Sequence, residues 1–260
     1  MSATLPTMQV QDISRQFGGL QALKSVSIDV APCTVHGIIG PNGAGKTTLF
    51  NIITGITTPD EGQIRFEDRV LPSQQPHRLV RLGVARTFQN IRLFKNMTVM
   101  DNVMIGQHVH TPTPILSILT FGRKAREGED AARSEALAAL TFVGLEGKTP
   151  ELVKNLPYGQ QRLVEFARAL AAKPRLLLLD EPAAGMNPTE KGHLLRLVSL
   201  LRERNYTVVL IEHDMKLVMN ICDTVTVLDH GRKIAEGRPE YIRSHPDVIC
   251  AYLGRGSQRA

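Results

Sequence analysis

The chain has 260 residues, of which 42% are hydrophobic and 22% are charged, a composition that suits one large domain or a domain with an inserted lobe. No apolar run approaches the ~18 residues needed to span a bilayer, no secretory signal is evident, and three widely separated cysteines exclude a disulfide framework and a cysteine metal site. The net charge of +6 comes from scattered basic residues, and with 5% aromatic residues and no Trp it favours a basic solvated surface, or proximity to an anionic membrane, over nucleic-acid binding.

The N-terminal part of the chain alternates apolar and polar residues. Val26, Ile28 and Val30 are separated by polar or charged residues, and this two-residue period predicts antiparallel strands with one solvated face. Val35–Ile39 is instead a short, mostly apolar run, which predicts a buried strand that leads into the first motif.

The segment after this strand is glycine-rich. From Gly40 to Thr48 it consists of Gly-Pro-Asn-Gly-Ala-Gly-Lys-Thr-Thr, which matches the phosphate-binding pattern G-x-x-x-x-G-K-[ST] in full. A helix is predicted over Thr47–Thr54, with Gly55 as the left-handed residue that ends it. A strand, a glycine loop and a helix in this order predict a nucleoside triphosphate site.

Each part of this motif has a chemical role. Glycines allow main-chain N–H groups to converge on the phosphates, and the helix adds the positive end of its dipole. Lys46 places a cation against the terminal phosphates, and the Thr47 hydroxyl is positioned to ligate Mg²⁺. The predicted nucleotide-binding residues of the loop are Asn42, Gly43, Ala44, Gly45, Lys46, Thr47 and Thr48.

The next part of the chain combines short elements with an irregular segment. Thr57–Gly62 is predicted to be a turn and Ile64–Phe66 a short strand. Thr98 is predicted to cap a helix over Val99–Ile105. Gln107–Gly122 contains two prolines and short apolar runs, and we predict an irregular insertion there.

Two longer helices are predicted after the insertion. Glu129–Val143 is rich in alanine and is followed by Gly144, which is expected to end the helix. Gln160–Ala172 carries apolar residues with the spacing of one helical face.

The second half of the chain alternates strands and helices. Leu176–Leu179 and Val208–Ile211 are continuous apolar runs, typical of parallel strands covered on both faces, and a helix is predicted between them over Glu190–Arg204. Thr224–Leu228 and Lys233–Ala235 flank a His-Gly turn and predict a hairpin. The sequence therefore predicts a nucleotide-binding α/β core interrupted by a helical lobe.

A pair of acids ends the first of these strands. Asp180 and Glu181 follow Leu176–Leu179 directly, and ligands of open parallel sheets lie at the carboxyl ends of strands. Asp180 is predicted to hold a magnesium-bound water, and Glu181 to polarise the water that attacks the γ-phosphate; the alternative is two solvated charges at a strand end. Because the chain has no guanine-binding Asn-Lys-x-Asp string and we locate no kinase acceptor pocket, ATP hydrolysis is the reaction that remains.

Four further segments occur in the order found in one protein family. They are Gln89 within Arg86–Asn90, the Leu-Pro-Tyr-Gly-Gln-Gln string Leu156–Gln161, the Ala-Gly-Met-Asn string Ala184–Asn187, and His213. These segments match the Q-loop, the signature loop, the D-loop and the switch histidine of ABC transporters. From about Val10 to Gly254 the chain resembles the ATP-binding subunit of such a transporter.

The resemblance implies an α/β fold with a RecA-like P-loop NTPase core, an N-terminal antiparallel β subdomain and an inserted α-helical subdomain. It places the first part of the core in residues 1–89 and the helical subdomain, with the signature helix, in residues 90–172. The second part of the core is expected in residues 173–254, followed by a flexible tail in residues 255–260.

The resemblance also implies roles for single residues. The residues implied in catalysis are Lys46, Gln89, Glu181 and His213, and those implied around Mg²⁺ are Thr47, Gln89 and Asp180. Gln89 would lie at the junction of the core and the helical subdomain, and His213 would hydrogen-bond the γ-phosphate.

Two further roles concern the base and a second subunit. Phe17 matches the aromatic residue that stacks on adenine, with a core phenylalanine as the alternative.

Gly159 and Gln160 of the signature would close over ATP held by a second subunit. Pro157 and Tyr158 replace the serine and the first glycine of the family's Leu-Ser-Gly-Gly-Gln string. Proline offers a phosphate neither a hydroxyl nor an N–H group, so this departure affects the site that the chain completes on its partner.

A narrower resemblance is carried by the tyrosine-containing signature, the insertion, and the segments Glu181–Pro188, Glu212–Met215 and Pro246–Gly254. These resemble the LivG-type ATPases of branched-chain amino acid importers. The resemblance implies ATP and Mg²⁺ as cofactors, a second ATP-binding subunit in a homo- or heterodimer, integral-membrane permeases, a separate solute-binding protein, no nucleic acid, and a peripheral position on the cytoplasmic face of the inner membrane. Two alternatives stay open, namely the ATPase of a lipid or glycolipid exporter and a soluble ABC ATPase that acts on nucleic acid or ribosomes.

Overall fold

The structure is a computed structural model that describes residues 7–109 and 123–253. The ten strands in these residues are β1 (Met8–Phe17), β2 (Leu20–Val30), β3 (Val35–Ile39), β4 (Glu61–Phe66), β5 (Arg69–Val70), β6 (Val84–Arg86), β7 (Leu176–Asp180), β8 (Thr207–Ile211), β9 (Thr224–Asp229) and β10 (Arg232–Gly237). The nine α-helices of the same residues are α1 (Lys46–Ile53), α2 (Pro76–Arg81), α3 (Val99–Met104), α4 (Arg123–Phe142), α5 (Tyr158–Ala171), α6 (Pro188–Glu203), α7 (Met215–Ile221), α8 (Pro239–Ser244) and α9 (Pro246–Leu253).

The strands form two sheets. The first is antiparallel, with the order β2-β1-β4-β5, and the second has the order β10-β9-β3-β8-β7-β6. In the second sheet the neighbours from β9 to β6 are parallel, and β10 pairs antiparallel with β9. Because β3, β8 and β7 are adjacent and parallel, their carboxyl ends meet at one edge. This edge carries the glycine loop, the acid pair and His213.

The second sheet is covered on both faces. Leu177 and Leu179 belong to a core shared with helices of the chain, whereas Leu176 and Leu178 belong to a core shared with the first sheet and α1. Every residue of β3, β7 and β8 is buried, as the continuous apolar runs of β7 and β8 predict. The loops at the ends of these strands are therefore held on a rigid base.

Several local predictions are confirmed. Val26, Ile28 and Val30 are buried on one face of β2. Thr98 caps α3 through a reciprocal pair of hydrogen bonds with Asp101. These elements are specified by residues close in sequence, so local patterns suffice to find them.

Some predicted boundaries differ from the structure. β4 begins inside the turn predicted for Thr57–Gly62, because its first residues pair with β1. α4 begins earlier than predicted, at Arg123. The insertion predicted for Gln107–Gly122 starts within a 3₁₀ helix, Ile105–Val109, and residues 110–122 lie outside the described residues.

Four helices of the structure were not predicted from the sequence. These are α2, α7, α8 and α9, each of only six to eight residues, a length over which helical periodicity is weak. Within the described residues, no helix has both the length and the apolar character needed to cross a membrane.

Candidate functional site

The glycine loop between β3 and α1 has a backbone that glycine adopts most easily. Gly43 and Gly45 have φ angles of 80° and 101°, in the left-handed region that other residues avoid. A Cβ atom on Gly45 would lie 2.6 Å from the carbonyl oxygen of Ala22. α1 then begins without a side-chain cap and without an acid in its first turn. Its N-terminal N–H groups are therefore suited to a bound anion.

Lys46 is the first residue of α1 and is buried. Its Nζ donates hydrogen bonds to the carbonyl oxygens of Gly40 (2.7 Å) and Pro41 (2.9 Å). Burial lowers the pKa of Lys46, and the nearby Glu181 carboxylate partly opposes this shift. Because these hydrogen-bond acceptors are neutral, a polyanion in the loop would supply the charge partner that a buried ammonium group favours.

The loop forms one wall of a cleft of about 480 Å³, a usual size for a small-molecule site. The loop contributes residues Asn42 to Thr48, and Phe17, Gln89 and Glu181 complete the predicted part of the lining. The structure thus brings together predicted residues from four separate parts of the chain. The remaining lining residues are Leu20, Gln21, Ala22 and His230.

A second groove, of about 530 Å³, lies between α7, α8 and α9. Its lining is mostly apolar and contains neither a carboxylate nor a glycine loop. The chemistry of phosphate binding therefore favours the first cleft, although it is slightly smaller.

Three predicted catalytic side chains converge at the end of β7. Gln89 Nε2 donates a hydrogen bond to Glu181 Oε2 at 3.1 Å, and His213 Nδ1 lies 3.9 Å from the same oxygen. Glu181 has a φ of +46°, a left-handed conformation that costs a residue other than glycine about 1–3 kcal/mol. In this conformation the Glu181 side chain lines the cleft.

Asp180 is placed differently from its neighbour. Its side chain is buried, and Oδ2 accepts a hydrogen bond from Arg86 Nη2 at 2.6 Å. Arg86 also donates to Asn51 Oδ1 and Thr54 Oγ1, both at 2.9 Å. Of the two acids, Glu181 lines the cleft and Asp180 does not. The metal role of Asp180 stays a prediction.

Glu212, at the end of β8, connects the two sides of the site. Its side chain is 1% exposed, and its carboxylate accepts hydrogen bonds from the N–H groups of Ala183 (2.9 Å) and His213 (3.3 Å). Burial raises the pKa of Glu212, and the Ala183 N–H group opposes the shift. Glu212 thereby fixes the segment after Glu181 to the residue that carries the imidazole.

The signature residues Gly159 and Gln160 lie at the start of α5 and do not line this cleft. Gly159 is buried, and a Cβ atom on it would lie 2.1 Å from Glu190 Oε1. The Tyr158 ring packs against Gly185, where a Cβ atom would lie 2.8 Å from the ring. The contact of Gly159 and Gln160 with ATP on a second subunit stays a prediction.

Phe17 lies at the end of β1 and is not a core residue. Its side chain is 46% exposed and lines the cleft. The Arg15 guanidinium lies 4.7 Å from the centroid of the ring, on the distance scale of a cation–π contact. The structure therefore excludes the alternative of a core phenylalanine, and adenine stacking stays a prediction.

The protein groups around the cleft do not form a metal site by themselves. In the described part of the chain, no group of three histidine, cysteine or acidic side chains could hold a metal ion. Mg²⁺ commonly binds through one or two protein oxygens together with waters and substrate phosphates. The Thr47 hydroxyl lines the cleft and offers one such oxygen, whereas the Asp180 carboxylate does not line the cleft and is paired with Arg86.

The similarity of this chain to known proteins covers nearly its whole length. The model of the ABC transporter family matches residues 23–184. The chain belongs to the ABC transporter family of ATP-binding proteins. It is 46% identical over 250 residues to the high-affinity branched-chain amino acid transport ATP-binding protein BraF of Pseudomonas aeruginosa. The aligned region covers 96% of this chain and 98% of BraF. The corresponding protein LivG of Escherichia coli is 43% identical with the same coverage.

Two further comparisons extend this assignment. The family model of the branched-chain amino acid ATP-binding cassette transporter matches residues 232–257. A crystal structure of a nucleotide-free ATP-binding cassette from an ABC transporter has a TM-score of 0.83 and 34% identity, and covers 96% of this chain and 100% of that one. The ADP conformation of such a cassette has a TM-score of 0.82 and 32% identity, with the same coverage.

These comparisons confirm the predicted α/β ABC ATPase fold and the choice of ATP hydrolysis as the reaction. This ABC ATPase binds ATP, in agreement with the glycine loop and the cleft. The similarity to BraF and LivG and the match to the branched-chain amino acid cassette model also confirm the narrower resemblance to the LivG type.

Three residues that organise the site of this ABC ATPase were not singled out from the sequence. Arg86 contacts Asp180 across 94 residues, Glu212 contacts Ala183 across 29, and Arg162 contacts the Phe88 carbonyl across 74. No local sequence pattern predicts contacts between residues so far apart in the chain. Glu212 alone has a usable signal, since it ends an apolar strand as the first acid pair does.

Proposed function

We propose that this chain hydrolyses ATP to energise the uptake of branched-chain amino acids, or of related amino acids or amides, through separate permease subunits. The observation that carries the proposal is the nearly full-length similarity to BraF and LivG, which are named for this transport. The match of residues 232–257 to the branched-chain amino acid cassette model supports the same solute class.

In the proposed reaction the glycine loop and Lys46 hold the terminal phosphates of ATP. Glu181 orients and polarises the attacking water, supported by the hydrogen bond from Gln89. His213, on the neighbouring strand end, meets the charge that develops on the γ-phosphoryl group. Catalysis then rests on positioning and on preorganised charge.

The proposed Mg²⁺ site uses Thr47, Gln89 and Asp180. The Arg86 ion pair holds the Asp180 carboxylate in one orientation, which suits a ligand that acts through water. When bound, Mg²⁺ neutralises charge on the phosphate oxygens. The protein side chains remain responsible for orienting the water.

The proposed assembly is a dimer with a second ATP-binding subunit, identical or different. Gly159 and Gln160 of each subunit close over the ATP of the other. Because Pro157 has no group to donate, the N-terminus of α5 carries this contact. Loss of the γ-phosphate removes the shared ligand, and the dimer opens.

We propose different functions for the two parts of the chain, with the boundaries that the sequence predicts. Residues 1–89 and 173–254 form the nucleotide-binding core, and residues 90–172 form the helical subdomain that contacts the permeases. In the described residues, α3, α4 and α5 pack against each other. The chain acts at the cytoplasmic face of the membrane, and a solute-binding protein supplies the amino acid from the other side.

The experiment that tests the function uses the full chain, purified with its accompanying subunits from detergent-solubilised membranes and reconstituted into vesicles. We expect permeases and a second ATPase to copurify, and ATP-dependent uptake of labelled leucine, isoleucine or valine. An assembly containing Glu181→Gln is the no-turnover control. Movement of lipid without amino acid would show an exporter, and copurification of ribosomes or DNA would contradict transport altogether.

Phe17→Ala is expected to weaken ATP binding by about 1–3 kcal/mol, the usual worth of one base–aromatic stack. The glycine loop is left intact, so binding of inorganic triphosphate is expected to stay unchanged. Equilibrium titration with both ligands checks this result. Phe94→Ala, at another exposed phenylalanine outside the cleft, is the matched control. Equal affinity for ATP in parent and Phe17→Ala would exclude adenine stacking on this ring.

A further inference from the structure

Helix α5 carries a cluster of charges on one face, of which Arg162 and Glu165 are buried and Arg168 is partly buried. Arg162, Glu165 and Arg168 follow at intervals of three residues, which places them on the same side of the helix. Arg162 Nη1 lies 3.5 Å from Glu165 Oε2, and Arg168 Nη2 lies 3.6 Å from Glu165 Oε1. Burial raises the pKa of Glu165 and lowers that of Arg168. Buried charges are costly to desolvate unless hydrogen-bond partners offset the cost. The partners of these three side chains therefore indicate what the cluster does.

The partners are main-chain groups of one segment, residues 88–92. Arg162 donates from Nη1 to the Phe88 carbonyl at 2.7 Å and from Nη2 to the Gln89 carbonyl. Arg168 Nη1 donates to the Arg92 carbonyl at 2.6 Å. The Arg92 N–H group donates to Glu165 Oε1 at 3.3 Å. Three side chains of α5 thus hold four main-chain groups of a segment more than 70 positions away in the sequence.

This segment carries a side chain of the reaction site. Gln89 is exposed, and its Nε2 donates to Glu181 Oε2 at 3.1 Å. An exposed side chain has little packing to fix it, so its reach depends on where the main chain is held. The carbonyl that Arg162 binds belongs to Gln89 itself.

We propose that Arg162 is a positioning residue for ATP hydrolysis, which holds the main chain of Phe88 and Gln89 so that the Gln89 amide reaches Glu181. Glu165 keeps Arg162 and Arg168 in place. The inference rests on the proposed function, because it assigns Arg162 a part in the turnover that Glu181 performs.

The tyrosine of the signature supports the same arginine. Arg162 Nε donates to the Tyr158 hydroxyl at 3.2 Å, and its guanidinium lies 5.4 Å from the centroid of that ring. The ring also packs against Gly185, which lies in the segment after Glu181. The replacement of the first signature glycine by Tyr158 therefore adds a contact between α5 and the segment after Glu181, and gives Arg162 a further hydrogen-bond partner.

The test measures steady-state ATP hydrolysis and equilibrium ATP binding of the membrane-extracted assembly. Arg162→Met keeps much of the side-chain volume and removes the donors. We expect kcat to fall about tenfold, within the range that misplaced catalytic groups cost, while the Kd for ATP stays within about twofold, since Arg162 does not line the cleft. Arg162→Lys keeps the charge beside Glu165 and is expected to fold if Arg162→Met does not, with an intermediate kcat because one ammonium group cannot replace two parallel donors.

A double-mutant cycle with Gln89→Ala separates positioning from general stabilisation. If Arg162 acts through Gln89, Arg162→Met or Arg162→Lys lowers kcat much less in the Gln89→Ala background than in the parent. Equal fold losses in both backgrounds, or a parental kcat in both arginine variants, would overturn the proposal.

Arg175→Met is the matched control, because Arg175 also donates to a main-chain carbonyl, that of Leu82, away from the cleft. It is expected to keep the parental kcat, and a loss equal to that of Arg162→Met would count against a specific role for Arg162. A parent without ATP hydrolysis would overturn the proposed function together with this inference. A hydrolysing parent with unchanged Arg162 variants would overturn only the inference.

Discussion

Replacing Glu181 by Gln is expected to leave ATP binding unchanged and to lower turnover by about 10²-fold or more, the range usually lost with a general base. The amide has the size of the carboxylate, and its oxygen can still accept the hydrogen bond from Gln89. It carries no negative charge, so it polarises water poorly and takes no proton. The measurement pairs phosphate release at saturating ATP with equilibrium binding of ATP.

The control for this variant is Glu203→Gln, at the exposed end of α6, which is expected to retain the parental rate. A rate for Glu181→Gln within about threefold of the parent, read as a transition-state free energy, would remove Glu181 from its role. Glu212 is a second carboxylate beside His213, whose Nδ1 lies 3.9 Å from an oxygen of each acid, but the Glu212 side chain is 1% exposed and accepts hydrogen bonds from two main-chain N–H groups. Its position suits support of the loop more than proton transfer.

The second large effect is expected from Lys46→Ala, which should weaken ATP binding about 10- to 100-fold, the worth of one hydrogen bond from a charged group. Lys46 is buried in the loop with its Nζ at the carbonyl oxygens of Gly40 and Pro41. A triphosphate bound in the loop would pair with the Lys46 ammonium group, and the alanine side chain carries no charge to replace it. Equilibrium titration with ATP and Mg²⁺ measures the loss.

Lys216→Ala, at an exposed lysine outside the cleft, controls for the change in net charge. Thermal unfolding of Lys46→Ala without nucleotide separates loss of binding from damage to the loop, since the two carbonyl groups lose their donor. Unchanged affinity for ATP in a folded Lys46→Ala protein would contradict the assignment of the phosphate loop.

The sequence predicted best where neighbouring residues decide the structure. The strand Val35–Ile39 was predicted at its observed bounds, and α1 differs by one residue at each end. The cap at Thr98 and the left-handed Gly55 after α1 were also found. Capping, glycine turns and burial periodicity are local effects.

The short helices and the neighbours in each sheet could not be derived in this way. α8 and α9 have six and eight residues, and helices of that length depend on tertiary packing. The order β3-β8-β7 brings together strands that are far apart in the chain. Such pairing depends on contacts that no window of sequence contains.

The sequence by itself determined that this chain folds a phosphate loop and ends a buried strand with Asp180 and Glu181, because both motifs depend on adjacent residues. Only the tertiary structure decided that Glu181 lines the cleft while Asp180 pairs with Arg86. It also decided that α5 holds the main chain of Gln89 through Arg162. The reason is physical: a side chain's partner is set by how the sheet and helices pack, and two neighbouring acids on a strand end point into different surroundings.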